Sequence, residues 1–263
     1  MATAVAKKQN TDIALADDLL AQFESEASSG LENLTQEDLA LPFLKILSGL
    51  DSILDEREDA RKGDIYNTVT GAVYKGKEGI RVVPCAYLKR YIRWAPRGSG
   101  SGAPLNIYTD RDPRPQTQRN SDDNKDYVVG GDGDYIEETH QHFVLVLSDD
   151  GSVEPALVAM KSTQLKKSRK WNSMVMAATM TGPNGNVFTP PRFAFEYSLR
   201  TSSEENSKGS WHGWEIQRLG PVSSKEVFTR AKDFHHSIME GDVVVRHENE
   251  RADSVAAEND IPF

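Results

Sequence analysis

The sequence predicts a mainly β protein with flanking helices, and three observations support that prediction. The spacing of apolar residues changes from a helical period to a period of two near residue 64. A continuous apolar run at 142–147 is typical of a strand buried in the centre of a sheet. One long helical segment, 162–178, then separates these strands from a final hairpin. Strands therefore dominate the predicted body of the chain.

The first sixty residues are predicted to form an acidic, partly helical N-terminal extension. Apolar residues recur there at helical spacing in two stretches: Leu15, Leu19, Leu20 and Phe23, then Phe43, Ile46, Leu47, Leu50 and Leu54 after Pro42. Short amphipathic helices need a neighbour that covers their apolar side. We therefore expect them to pack on the body or on a second subunit, in which case the protein would be a homo-oligomer.

The predicted body, 61–240, begins with strands. Residues 64–74 and 79–94 alternate apolar and polar side chains, and the segment Lys75-Gly76-Lys77-Glu78-Gly79 between them predicts a hairpin turn. A flexible insertion is expected at about 97–135, because that stretch is long and rich in Gly, Pro and Asp. The apolar run and a further strand, 154–160, complete this group.

A final hairpin and a closing helix follow the 162–178 segment. Residues 192–200 and 211–219 predict the two strands of the hairpin. Ser223 and Glu226 have the spacing of a capping box, and an apolar stripe follows them: Val227, Phe228, Ala231, Phe234 and Ile238. Strands, one helix and a closing hairpin approach the order of an OB-fold. We therefore predict an elaborated OB-fold-like barrel.

Charge is distributed unevenly along the chain, whose formal net charge is −9. Residues 1–60 hold 4 basic and 13 acidic side chains, and residues 240–263 hold 2 and 7. The body between them holds 25 basic and 20 acidic side chains, a net charge of +5. Local charge attracts phosphates, so the body could bind a polyanion. The last segment, 241–263, is predicted to be a disordered acidic tail.

The composition predicts a cytoplasmic protein without catalytic chemistry. Cys85 is the single cysteine, no apolar run approaches the ~20 residues of a membrane span, and the N-terminus lacks a secretion signal. The pairs His140/His142 and His235/His236 lack the spacing of further ligands that a metal site needs. A phosphate-binding G-x-x-x-x-G-K-[ST] motif is absent. We therefore predict no enzyme activity, no cofactor, no metal and no membrane contact.

A basic cluster at 161–171 is the first candidate binding element. On a helix, Lys166, Arg169 and Lys170 share one face, and like charges at that spacing cost about 0.2–0.5 kcal/mol per pair unless an anion neutralises them. Phosphate contacts are therefore predicted for Lys161, Lys166, Lys167, Arg169 and Lys170, with Trp171 stacking on a base. The alternative is a solvated helix face with Trp171 in the core.

The strand at 79–94 is the second candidate. One predicted face carries Arg81, Val83, Cys85, Tyr87, Lys89, Tyr91 and Arg93, and the other reads as core. Aromatic and basic residues alternate from Tyr87 to Arg93, so rings could stack on bases while cations meet the backbone of a single strand. The alternative is an edge strand whose tyrosines cover neighbouring apolar surface.

The last six residues, Glu258-Asn259-Asp260-Ile261-Pro262-Phe263, form an acidic ending with an aromatic last residue. The ring suits an apolar pocket and the terminal carboxylate suits a neighbouring Arg or Lys. This ending resembles the C-terminal peptide of bacterial single-stranded-DNA-binding proteins, with fewer acids. The resemblance implies that Asp260, Ile261, Pro262 and Phe263 dock replication proteins such as polymerase, helicase or primase. The alternative is a solvated terminus.

Three further stretches resemble bacteriophage single-stranded-DNA-binding proteins: residues 41–47 (LPFLKIL), 63–68 (GDIYNT) and 160–171 (MKSTQLKKSRKW). The resemblance implies a protein that binds and protects single-stranded DNA, without strong sequence preference, during DNA replication, recombination and repair in the infected bacterial cell. Two alternatives stay open. One is a strand-annealing recombination mediator, and the other is an acidic interaction or DNA-mimic protein.

Deleting residues 260–263 should abolish binding to replication enzymes and leave the affinity for single-stranded DNA unchanged, because the docking ring is lost while the basic body stays intact. Full-length and truncated protein, immobilised and probed with purified polymerase, helicase and primase, test this expectation. Capture that survives the loss of Phe263 would contradict it.

Overall fold

The computed structural model describes residues 17–33, 39–96, 98–99, 102–206, 209–243, 245 and 247. The chain divides into two compact units, 1–39 and 40–263. In the first unit, helix α1 (Asp17–Ser25) leaves Leu19, Leu20 and Phe23 exposed to solvent. The helix predicted around these three residues is confirmed, and Leu15 lies outside the described residues.

The second unit consists mainly of strands. In chain order its elements are β1 (Leu44–Ile46), α2 (Ile53–Glu56), β2 (Ile65–Asn67), β3 (Val73–Tyr74), β4 (Ile80–Trp94), β5 (Asn106–Tyr108), β6 (Thr117–Arg119), β7 (Asp126–Val128), β8 (Tyr135–Leu147), β9 (Val153–Lys161), α3 (Leu165–Met176), β10 (Met180–Thr181), β11 (Val187–Phe188), β12 (Phe195–Asn206), β13 (Gly209–Pro221) and α4 (Lys225–Glu240). Short 3₁₀ turns precede α3 and β12.

The main sheet has eight antiparallel strands and curls strongly into a half-barrel. Its order is β13-β12-β4-β8-β7-β6, with β5 paired to β4 and β9 paired to β8. The predicted fold class, mainly β with flanking helices and OB-like curvature, is confirmed. The strand predicted from the apolar run at 142–147 is β8, and it is central as expected.

Residues 40–60 differ from the prediction. They belong to the second compact unit rather than to an N-terminal extension. The apolar spacing after Pro42 predicted a helix, but Leu44–Ile46 form β1, which pairs with β2 in a separate small sheet, and only residues 53–56 are helical. Phe43 bridges to Leu157 of β9. Pairing with distant strands overrides the local helical period here.

A β-bulge in β4 decides which side chains face which way. β4 pairs with β8 from residue 81 to residue 94, and the register shifts around Cys85. The extra residue reverses the alternation on its far side. Tyr87 therefore shares a face with Val82, and the predicted face that joined Tyr87 to Val83 and Cys85 is wrong at this point. The alternation from Tyr87 to Arg93 continues as predicted.

The core lies on both faces of the sheet. On one face, helix α3 covers a cluster that includes Val82, Val144, Met160, Trp171, Tyr197 and Trp214. On the other face, helix α4 covers a cluster that includes Cys85, Phe143, Leu157, Ala231, Phe234 and Ile238. The predicted stripe of α4 is confirmed for its buried members. Its N-cap is Ser224, whose side chain accepts from the Val227 amide, rather than the predicted Ser223.

Two predicted loops contain strands. The insertion at 97–135 includes β5, β6 and β7, which pair with one another or with the main sheet. The loop predicted between the last two strands is shorter than expected, because β12 and β13 extend to Asn206 and Gly209. Local composition could not reveal these pairings, since both stretches are rich in turn-forming or polar residues.

The chain after α4 returns to the core before the tail. Val243 and Val245 pack against the α4 cluster, and His247 is buried between the rings of Phe43 and Trp94. The prediction of a disordered tail from residue 241 is therefore wrong at Val243, Val245 and His247, which pack against the body. Residues 248–263, including the predicted docking residues, lie outside the described part of the chain.

Replacing Trp171 by Ala should lower the free energy of unfolding by about 3–5 kcal/mol, because a large side chain that is fully buried would leave a cavity. Urea denaturation measures this loss. Met176→Ala, on the same helix with 72% of the Met176 side chain exposed, is the matched control and should cost less than about 0.5 kcal/mol. Equal effects of the two substitutions would contradict the assignment of Trp171 to the core.

Candidate functional site

An open groove of about 940 Å³ lies beside the exposed end of the β4–β8 pair. Its walls come from β4, the loop after β5, β8 and α3, and the lining residues are Tyr87, Leu88, Lys89, Arg90, Thr109, Asp110, Arg111, Glu138, His140 and Arg169. Four of these ten residues are Lys or Arg and two are Asp or Glu, so the groove is positive in a protein that is negative overall. The groove joins the two elements predicted to bind DNA, because Tyr87 and Lys89 come from β4 and Arg169 comes from α3.

The strand residues predicted to bind DNA divide between the groove and its surroundings. Tyr87 lines the groove, and its ring lies edge-on to His140 with 5.4 Å between ring centroids. Lys89 also lines it and forms an ion pair of 2.8 Å with Asp110. Arg93 lies outside the lining and pairs with Asp134. β4 pairs with β8 along its length, but with β12 only at residues 80–82 and with β5 only at residues 91–93. Tyr87 and Lys89 therefore lie where β4 has a paired strand on one side only, as the alternative assumed.

Tyr91 is not open for stacking as the sequence suggested. The guanidinium of Arg114 lies 3.4 Å from the centroid of its ring, and its hydroxyl donates to Asp110 at 3.1 Å. A base could stack on that face of Tyr91 only after displacing Arg114. The role predicted for Tyr91 therefore requires a rearrangement, whereas Tyr87 already borders the groove.

The helix cluster is also divided. Arg169 faces the groove with its guanidinium 3.6 Å from the Glu138 carboxylate. Lys166 and Lys170 are exposed beside it. Lys161 pairs with Glu137 at 3.3 Å, and Lys167 pairs with Glu204 at 2.6 Å. These acids, distant in sequence, neutralise part of the charge that the cluster suggested.

Trp171 does not stack on DNA in this fold, and that prediction is wrong. Its ring is fully buried and lies parallel to the ring of His142, with 4.5 Å between centroids. On α3, Ser168 and Trp171 form the side that faces the sheet, and the basic residues occupy the opposite side. Residues three apart lie on the same side of a helix, so Trp171 faces the core together with Ser168 although its neighbours in sequence are basic and face outward.

A buried polar chain leads from the groove into the core. Arg192 can only donate, and its Nη2 donates to Nδ1 of His142 at 2.9 Å, which leaves the proton of neutral His142 on Nε2. That Nε2–H donates to Ser168 Oγ at 2.7 Å, and the Ser168 hydroxyl donates to Nδ1 of His140 at 2.7 Å. Nε2–H of His140 then donates to Glu138 at 2.8 Å. A donor-only group and a carboxylate thus fix the direction of every bond.

Burial keeps this chain neutral between its two ends. Burial holds the pKa of His142 well below its ordinary value, and the nearby Arg192 lowers it further. Burial also lowers the pKa of His140, against the opposing effect of Glu138. The pKa of Arg192 falls to about 10, chiefly through burial, so the guanidinium stays charged at neutral pH. The sequence showed only that His140 and His142 share a strand face. Nothing in it indicated that Ser168 would lie between them.

The comparison with protein families assigns the chain. A model of the family described as Pam3 phage gp34-like protein matches residues 7–244. The chain belongs to this family. The predicted phage assignment is thereby confirmed at the level of a phage protein family. No curated protein and no solved structure matches the chain.

The order Ser168–His140–Glu138 has the connectivity of a hydrolase triad. Ser168, however, has no exposed surface, so its Oγ cannot reach a substrate in this conformation. The geometry instead suits a structural role, because the ring nitrogens of both histidines and the Ser168 hydroxyl all meet partners of the right kind. Within the part of the protein that the structure describes, Arg192 Nε is the one buried polar atom of this chain without a partner. Among the described residues, no group of His, Cys, Asp and Glu could hold a metal ion, and no helix could cross a membrane.

Stability should fall as the pH falls below the ordinary histidine pKa of about 6.5. Both histidines have lowered pKa values in the folded state, so below that pH the unfolded chain binds more protons than the folded one. Each histidine should contribute up to about 1.4 kcal/mol per pH unit until its folded pKa is passed. Urea denaturation between about pH 7 and about pH 5 measures this slope, above the range where most carboxylates titrate.

His142→Gln should remove one histidine's share of that slope, and the exposed His236→Gln should keep the wild-type slope. A flat profile for the wild-type protein, or equal slopes in all three proteins, would show that the buried chain does not impose this pH dependence.

Proposed function

We propose that the chain binds single-stranded DNA in the groove between β4 and α3, without strong sequence preference, during phage DNA replication or recombination. The single observation that carries the proposal is the meeting of the two predicted binding elements. Tyr87 and Lys89 are separated from Arg169 by about eighty residues of sequence, and all three line one open groove.

The chemistry of the groove suits a flexible polyanion. Arg111 is exposed and forms no ion pair within the described residues, so it can meet a phosphate without first losing an acid. Arg90 is half-buried and interacts with the Asp112 carboxylate, so it contributes less. Tyr87 offers a ring at the groove wall, and rings stack on any base. An open groove also admits a strand that enters at one end and leaves at the other. Lys166 and Lys170, exposed on the same helix as Arg169, extend the positive path beyond the groove.

Internal acids moderate this attraction without preventing it. Lys89 pairs with Asp110 and Arg169 lies near Glu138, so a phosphate would compete with each carboxylate. Asp110 keeps 56% of its side chain exposed, and exposed ion pairs contribute only about 0–1 kcal/mol. Exchange of the carboxylate for a phosphate therefore costs little free energy. Binding should be reversible and sensitive to salt.

The tail completes the proposal as a docking peptide for replication proteins. Because His247 is part of the core, a truncation that removes only the tail must begin at residue 248. The basic groove and the acidic segment 248–263 have opposite charges, so the tail could compete with DNA. Removing residues 248–263 should then strengthen DNA binding, most clearly at low salt where attraction is least screened.

Binding to fluorescent single-stranded DNA should weaken steeply with salt, and it should exceed binding to duplex DNA and single-stranded RNA of equal length. The double variant Arg111→Gln/Arg169→Gln should flatten the plot of log K against log [salt] by about 1.4 units, at about 0.7 per lost phosphate contact. Fluorescence anisotropy at several salt concentrations measures both quantities.

The matched control is Lys225→Gln/Lys232→Gln, which removes the same charge from exposed positions on α4 that do not line the groove. It should keep the wild-type slope. A third variant, Lys166→Gln/Lys170→Gln, reports whether the strand continues along α3. The proposal fails if no single-stranded DNA binds, or if groove and control variants lower the slope equally.

A further inference from the structure

Two carboxylates lie in the groove with one oxygen engaged and one open. Oε1 of Glu138 accepts from His140 at 2.8 Å and lies 3.6 Å from Arg169. Oδ1 of Asp110 contacts Lys89 at 2.8 Å and accepts from the Tyr91 hydroxyl at 3.1 Å. Within the described part of the chain, Oε2 of Glu138 and Oδ2 of Asp110 accept no hydrogen bond.

Both carboxylates are held in place by these contacts. Glu138 keeps 31% of its side chain exposed and ends the polar chain in which His140, Ser168 and His142 are buried, so its orientation is set from within the core. Asp110 is held between a lysine and a tyrosine on β4. A carboxylate that is fixed in this way offers acceptor sites in a defined direction and has no proton to donate.

These open oxygens repel phosphates. They also distinguish between bases, because only some base edges carry a group that can donate to a carboxylate. Cytosine and adenine present an exocyclic amino group, and guanine presents an amino group beside an N–H, so all three can donate to a carboxylate. Thymine presents carbonyl oxygens on both sides of its single N–H, and a carboxylate facing those oxygens is repelled. Glu and Asp pair with the cytosine N4 amino group for this reason.

We infer that Glu138, with Asp110 beside it, is a specificity-determining residue that makes the groove prefer bases with an amino group over thymine. The inference rests on the proposed function, because it assigns the orientation of a strand bound in that groove. Bases point towards Tyr87 and the open carboxylate oxygens, and phosphates point towards the exposed guanidinium groups of Arg111 and Arg169. A preference at one position is compatible with weak overall sequence dependence.

Two homopolymers of equal length, oligo-dC and oligo-dT, test the inference in the full-length protein. In a mildly alkaline buffer that keeps oligo-dC unpaired, wild-type protein should bind oligo-dC on the order of tenfold more tightly than oligo-dT, as expected for one good contact to a base edge. Glu138→Gln should bring the ratio close to one, because an amide can donate to thymine as well as accept from cytosine. Removing one negative charge should strengthen binding to both oligonucleotides, and this common gain in affinity cancels in their ratio.

Glu137→Gln is the matched control. Glu137 is the next residue of β8, pairs with Lys161 outside the groove lining, and loses the same charge in this variant. It should keep the wild-type ratio. Asp110→Asn provides a second groove variant, so the test does not depend on the folding of Glu138→Gln alone, and it should lower the ratio in the same direction.

The outcomes separate the two proposals. If the wild-type protein binds neither homopolymer, the proposed function itself fails. If it binds both and the ratio is near one or favours oligo-dT, DNA binding stands and the specificity role is refuted. A wild-type preference for oligo-dC that neither Glu138→Gln nor Asp110→Asn reduces would also refute the role of these carboxylates.

Discussion

The long antiparallel pairing of β4 with β8 is the constraint on which the rest of the molecule depends. These two strands lie at the centre of the curled sheet, and β12, β9, β5 and β7 all pair with one or the other. The bulge at Cys85 divides the pairing into two halves. In the first half, residues on both faces are buried in the core, apart from the exposed Arg81. In the second half, one face carries Tyr87 and Lys89 into the groove. One extra residue thus marks the boundary between the packed core and the groove.

The buried polar chain joins those two halves. An arginine with so little solvent contact is costly unless its charge is compensated, and Arg192 meets His142, Asn172 and aromatic faces rather than an acid in the described residues. Glu138 is the carboxylate at the other end of this hydrogen-bonded chain, reached through His142, Ser168 and His140. Because every link has a fixed direction, loss of one member would leave its neighbours unsatisfied inside the core. Such a network disfavours alternative packings of α3 on the sheet.

The sequence predicted the elements whose periodicity is strong and missed what depends on contacts between distant residues. The apolar run of β8 and the stripe of α4 identified a central strand and a closing helix. Nothing local distinguishes Phe43 to Leu54 from an amphipathic helix, and only pairing with β2 makes Leu44–Ile46 a strand. The bulge at Cys85 leaves no trace in composition. Trp171 was misassigned because its basic neighbours suggested a surface, although a helix can bury one side and expose the other.

The same limitation applies to charge. A count along the sequence treats Lys89, Lys161, Lys167 and Arg169 as equivalent cations, yet each lies near an acid that only the fold brings to it. Arg111 was not among the predicted binding residues, and it lines the groove without an ion pair in the described residues. The attraction for a polyanion should therefore come mainly from Arg111 and from the exposed Lys166 and Lys170. Each paired cation would contribute only the difference in free energy between its ion pair with a phosphate and its ion pair with the carboxylate that the phosphate replaces. A groove that combines open cations with fixed carboxylates gains less affinity than an all-basic groove, but it also imposes an orientation on the strand, which a uniform positive surface cannot do.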